Sequence, residues 1–144
     1  MVHIRNMLVD DAAALAGLTQ QLGYPISTAD MANRVELFLN HPYGKVFVAE
    51  LEGRVVGYIC LWIREHFHDT LRAARILALV VDAEHRRVGV GKKLIEVAEQ
   101  FARNEGCVFL DLTTAHHRTD AHTFYENIGY KTETTRYLVK TLVD

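Results

Sequence analysis

Proline occurs only twice in the 144 residues, cysteine twice and tryptophan once. With so little proline, and no repeats or low-complexity tracts, nothing marks a stiff linker between modules. Cys60 and Cys107 lie inside apolar, strand-like stretches and lack metal-ligand spacing, which excludes a disulfide framework; they read as reduced core residues of a cytoplasmic protein. No apolar run approaches the roughly 20 residues that span a bilayer. The opening MVHIRNMLVDD lacks the apolar segment of a signal peptide. Charge of one sign is also missing: 16 basic residues face 18 acidic ones, for a formal charge of −2, so no global basic field points to nucleic acid. What remains is 49% hydrophobic and 24% charged, the make-up of one globular domain over 1–144 with a core of its own.

Two helix patterns open the chain. Asp10 or Asp11 offers an N-cap to a helix carrying Leu15, Leu18 and Leu22, stopped by Gly23 and Pro25. Ser27 or Thr28 caps a second, with Met31, Val35, Phe38 and Leu39 at helical spacing, ending near His41. The period then changes. KVFVAEL and VVGYICLWI, joined by a short turn, predict an antiparallel hairpin, and RILALVVD predicts a strand buried on both faces. Gly89 to Asn104 reads as a helix with Val90, Leu94, Ala98, Phe101 and Ala102 on one side, closed by Gly106. CVFLDLTT predicts a strand, and a short helix follows, capped by Thr119 or Asp120 and stopped at Gly129. YKTETTRYLVKTLV predicts one or two closing strands. The strand–helix–strand portion is expected to cross over right-handed, and the class is α/β.

Between the buried strand and the third long helix stands HRRVGVGKKL. Unpaired N–H groups and the helix dipole favour an anion there, and Gly89 and Gly91 remove the Cβ atoms that would keep a phosphate from the main chain. A P-loop needs an earlier glycine and a Ser or Thr where Lys93 stands. A Rossmann fingerprint needs glycine in place of Leu94 and an early position in the fold. Both fail. A third pattern, Arg/Gln-x-x-Gly-x-Gly/Ala, is filled by Arg86, Gly89 and Gly91.

With that loop, LALVVDAEHRRVGVGKKLIEVAEQFARNEG, DAHTFYENIGY and the opening IRNMLVDDAAALAGL, the sequence resembles the GNAT superfamily of acyl-CoA-dependent N-acetyltransferases, in order along the chain. The resemblance implies a single-domain fold with a mixed central sheet splayed at its middle strands and about four helices. It implies acetyl-CoA as co-substrate and direct attack by a primary amine in a ternary complex. Main chain at Leu79, Val80 and Val81 would hold the pantetheine arm and point an N–H at the acetyl carbonyl. The N–H groups of Arg86, Arg87, Val88, Gly89, Val90, Gly91 and Lys92 would hold the pyrophosphate. Arg87 stands where many members have glycine.

The resemblance also makes Phe124 a cofactor contact and Tyr125 the general acid toward the departing thiolate. With ordinary values near 10 for tyrosine and 8.5 for a thiol, that transfer is uphill by about 2 kcal/mol. Many members carry Asn where this chain has Arg118. The base is less defined. Glu65 and His116 are candidates, with His66 and His68 further options and a water relay an alternative. Neither HExxH nor Cys spacing appears, so no metal is expected. The acceptor is expected to be the amine of a small molecule or peptide, with no nucleic acid or membrane partner, and Tyr24, Phe38, Trp62 and Glu65 are candidates to line its pocket. Homodimers are common in the family. The alternative reading is a non-catalytic acyl-CoA-binding sensor or partner domain.

Overall fold

The computed structural model describes residues 1–114, 118–133 and 136–143. They fall into two compact units, Met1–Leu112 and Thr113–Asp144. The first contains β1 (His3–Asn6), α1 (Ala12–Leu22), α2 (Thr28–Asn40), β2 (Gly44–Leu51), β3 (Arg54–Glu65), β4 (Arg72–Val81), α3 (Val90–Asn104) and β5 (Leu110–Asp111); the second contains α4 (Thr119–Asn127). The strands form one open sheet in the order β1-β2-β3-β4-β5, antiparallel except for the parallel β4–β5 pair.

The sheet is buried on both faces, which explains the apolar runs of β2 to β4. Val46, Val48, Tyr58 and Val80 point to the face packed by Leu15 and Leu18 of α1 and Val35 of α2. Tyr58 is buried there because Thr19 Oγ1 lies 2.7 Å from its hydroxyl. Alternate residues, among them Ile59, Leu61, Ile63 and Ala74, are almost wholly buried on the other face. There α3 inserts Val90, Leu94, Ile95, Ala98 and Ala102. Each large side chain so buried contributes about 1.5–3 kcal/mol.

Local signals explain most boundaries. Gly23 ends α1 at φ 108, and Ser27 caps α2 by accepting the Asp30 N–H. The β2–β3 turn carries Glu52 at φ 51 and Gly53 at φ 78, the paired left-handed residues of a type I′ turn. Three expectations are corrected. Asp11 does not cap α1 with its side chain; a 3-10 turn, Val9–Asp11, precedes the helix, and the carboxylate turns back to accept the Leu8 N–H at 2.7 Å and the Arg5 fork. Thr119 is the first residue of α4, not its cap, and Arg118 takes that position without a side-chain cap bond. The described residues of 131–143 form no strand, since alternation makes a strand only where a ladder partner is met.

Candidate active site

The β4 strand is irregular where it matters. Cys60 pairs with Ala78 and Leu61 with Ile76, so Leu77 is an extra residue, a bulge in the middle of β4. On its other edge β4 pairs with β5 only at Ala74↔Leu110 and Arg75↔Asp111. From Ile76 to Val81 that edge has no ladder partner among the described residues, so alternate N–H and C=O groups face outward from a strand whose side chains, such as Val80, are core. At the middle strands, where a splay is expected, pairing among the described residues ends early.

The chain leaves β4 through a braced turn. Asp82 N–H donates to Val56 O at 2.8 Å, and Gln21 of α1 grips both sides, donating to Asp82 Oδ1 at 3.0 Å and accepting the Ala83 N–H at 2.9 Å. His85 Nδ1 lies 2.7 Å from Asp82 Oδ2. Gln21 and His85 together hold the Asp82 carboxyl below its ordinary range. Sequence reading passed over this brace, because Gln21 and Asp82 are 61 positions apart.

Beyond it, Arg86 Nε donates to Val81 O at 3.2 Å, turning one guanidinium edge back on the strand end. Arg87 has φ 68 and Gly89 φ 86. Two left-handed residues within three positions curl the main chain into a concave turn suited to an anion. The first bond of α3 runs from Lys93 N–H to Gly89 O, so the N–H groups of Val90, Gly91 and Lys92 precede any intrahelical acceptor. Gly57 seats the helix start: a Cβ there would lie 2.9 Å from Val80 O and 3.3 Å from Leu94 Cδ1 and Val90 Cγ1.

In the second unit, Tyr125 is half-buried with Phe124 and Tyr130 edge-on at centroid distances of 5.2 and 5.6 Å. Burial pushes its hydroxyl up to about 12, against a smaller opposing pull from Arg118. The hydroxyl therefore keeps its proton across the physiological range.

The candidate bases fare differently. Glu65 is exposed at the far end of β3, on the α3 side, and its carboxylate lies 3.7 Å from Arg72 Nε. Six residues, roughly 20 Å of strand, separate it from Ile59, the partner of Leu79. His116 lies outside the described residues. His66 and His68 stack at 5.0 Å and gather around Asp69, which the sequence reading did not single out. Asp69 also accepts the Leu71 N–H at 2.8 Å, so this cluster closes the β3–β4 turn. Of the expected pocket residues, Phe38 and Trp62 meet edge-on at 5.8 Å. Tyr24 lines a separate set of walls with Thr19, Ile26, Asn33 and Leu37 around a cleft of about 640 Å³.

Comparison with known proteins bears on this geometry. The Acetyltransferase (GNAT) family matches residues 11–130. The uncharacterized N-acetyltransferase YhfO of Bacillus subtilis is 30% identical over 92% of this chain and 92% of its own length. Aminoalkylphosphonate N-acetyltransferase of Salmonella typhimurium is 39% identical over 79 residues, 55% of this chain and 51% of that protein. The chain spans less than half of the mammalian relatives it matches, 48% and 45% for two N-acetyltransferase 8 proteins of Rattus norvegicus and Homo sapiens. Among solved structures, an aminoglycoside N-acetyltransferase AAC(6′)-Iy in complex with CoA superposes with a TM-score of 0.89 over 99% of this chain and 96% of that one, at 20% identity. That superposition bears out the mixed α/β fold. Joined to a match over most of the chain, the early-ending β4 edge and the glycine turn that follows it are features of a family member: the chain belongs to the GNAT acetyltransferase family.

Proposed function

We propose that this chain transfers the acetyl group of acetyl-CoA to a primary amine of a small molecule by direct attack within a ternary complex. The observation that carries the reading is the edge of β4 from Ile76 to Val81, which has no ladder partner among the described residues and leads straight into a turn whose N–H groups have no helical acceptor. An extended amide-bearing chain adds to such an edge as a strand would, and a pyrophosphate suits the turn. An outward N–H on that edge is then offered to the tetrahedral oxyanion. Tyr125 is the proposed donor to the departing thiolate. With its pKa near 12 against about 8.5 for a thiol, full proton transfer is uphill by roughly 5 kcal/mol, so the hydroxyl acts first as a hydrogen-bond donor to growing charge on sulfur. A base positioned by the fold is not needed if water carries the amine proton. Small amines are supported by the relative named for aminoalkylphosphonates.

The test is thiol release from acetyl-CoA against amino acids, polyamines, aminoglycosides, aminoalkylphosphonates and short peptides. A saturable rate with one class establishes the transfer and names the acceptor. Silence across the panel from a protein that still binds acetyl-CoA would replace this reading with the acyl-CoA sensor.

A further inference from the structure

Gly44, Trp62, Arg75 and Asp111 are successive cross-strand neighbours on β2, β3, β4 and β5, and so form one row on the face that α1 and α2 cover. One half of the row is aromatic. Gly44 has no side chain, and the Phe38 ring fills its place, with Cδ2 2.8 Å from where a Cβ would stand. Phe38 then meets Trp62, whose other neighbour is the His41 ring at 4.4 Å.

The other half is cationic. Arg75 donates through Nε and Nη2 to the two oxygens of Asp111, both at 3.0 Å. Arg64, one step along the same face of β3, donates to Asp111 Oδ2 as well. Two guanidiniums thus share one carboxylate, and among the described residues one positive charge is left over. Of the five N–H donors on each arginine, this carboxylate engages only a few. Arg64 Nε is buried without a hydrogen-bond partner among the described residues. The next acid along β3, Glu65, faces the opposite side and pairs with Arg72. Asp111 itself already accepts three guanidinium hydrogen bonds. Burial raises its carboxyl, but Arg75 and Arg64 outweigh that and hold it below its ordinary value, so it is neither a base nor a free anchor for a cation.

The location gives this charge a use. Arg75↔Asp111 is the last β4–β5 pair among the described residues, and the Leu77 bulge follows two residues later. Two strand rises are roughly 7 Å. We infer that Arg64 and Arg75 bind an oxyanion on the acceptor: the substrate is a primary amine carrying a carboxylate or phosphonate a few carbon atoms away, its chain laid along Trp62 and its amine reaching the thioester beside β4. Guanidinium forks match such oxyanions in two-point contact, which an ammonium would not. The inference rests on the acetyl-transfer reading and names its substrate class.

The experiment compares matched acceptors: 2-aminoethylphosphonate against ethanolamine, and β-alanine against β-alaninamide. The anionic member of a pair is expected to show kcat/KM higher by about 10-fold or more, mainly through KM, and R64Q to collapse that ratio. Equal or reversed preference overturns the inference, and so does R64Q lowering all four acceptors alike, the behaviour of a purely structural ion triad. A direct reading covers the case in which no amine turns over. With saturating CoA occupying the glycine turn, methylphosphonate is expected to raise the melting temperature of the wild type but not of R64Q. Absence of that increment overturns the platform, while the shift given by CoA alone scores the acyl-CoA reading separately.

Discussion

Arg87 and Tyr125 are two single residues for which the proposed reading makes separable predictions. Arg87 has φ 68, a left-handed conformation that costs a side chain with a Cβ about 1 kcal/mol or more. Arg87→Gly is therefore expected to raise stability by about 0.5–1 kcal/mol in urea unfolding. If the Arg87 guanidinium helps hold the adenosine phosphates, the same variant weakens acetyl-CoA binding. Stability and affinity then move in opposite directions, which a simple relief of strain would not produce. Tyr125→Phe removes the hydroxyl and keeps the ring that meets Phe124 and Tyr130. Its kcat is expected to fall by about 10²-fold, within the range for a lost general acid, with little change in acetyl-CoA affinity measured by calorimetry. An equal loss in both would reassign Tyr125 to cofactor binding.

Two elements, the first turn of α3 and the β3 strand beneath it, are coupled through one glycine. Gly57→Ala would drive a methyl to within 2.9 Å of Val80 O and 3.3 Å of Val90 and Leu94. Backbone cannot give way as a flexible side chain can, so a cost of about 1–3 kcal/mol is expected, together with weaker acetyl-CoA binding as the helix start shifts. Gly17, mid-α1 with nothing near its missing Cβ, is the control: Gly17→Ala is expected to stabilise by about 0.5–1 kcal/mol in the same unfolding assay. A second element-level effect comes from Cys60 on β3, whose thiol burial pushes from 9.0 up to about 12. Below pH 9 the thiol is protonated in both states, so stability is unaffected. As pH rises from 9 towards 12 the unfolded chain ionises and the folded one does not, so the native state binds more protons and stability falls. Above pH 10 Tyr58, also raised by burial, adds to the slope. Cys60→Ala should flatten the decline that begins at pH 9 in denaturant melts. An unchanged onset would show that Cys60 is not its source.

At the scale of the molecule, periodic features were legible in the sequence and register was not. Helical spacing in α1, α2 and α3, the hairpin runs, and a glycine turn after a buried strand all announce themselves within a short window. The bulge at Leu77 does not, because LALV reads as uninterrupted strand until β3 is laid beside it. Nor does the Gly44–Trp62–Arg75–Asp111 row, whose members become neighbours only through four strands in register. Gln21 gripping Asp82 is hidden for the same reason. What local pattern did convey, a turn with spare N–H groups, leads to the prediction that tests the whole assembly. A ligand that binds only the folded chain stabilises it by about 2.7 kcal/mol at a hundredfold excess over its Kd. For a chain of this size that is roughly 5–10 °C in melting temperature. Acetyl-CoA at millimolar concentration is expected to give such a shift, with slowed amide exchange at Val90, Gly91 and Lys92 and along Leu77 to Val81. An equal shift with the exchange of those amides unchanged would put the ligand elsewhere on the protein. No shift at all would remove the basis for acetyl transfer, because the proposed reading depends on acetyl-CoA binding along that edge and turn.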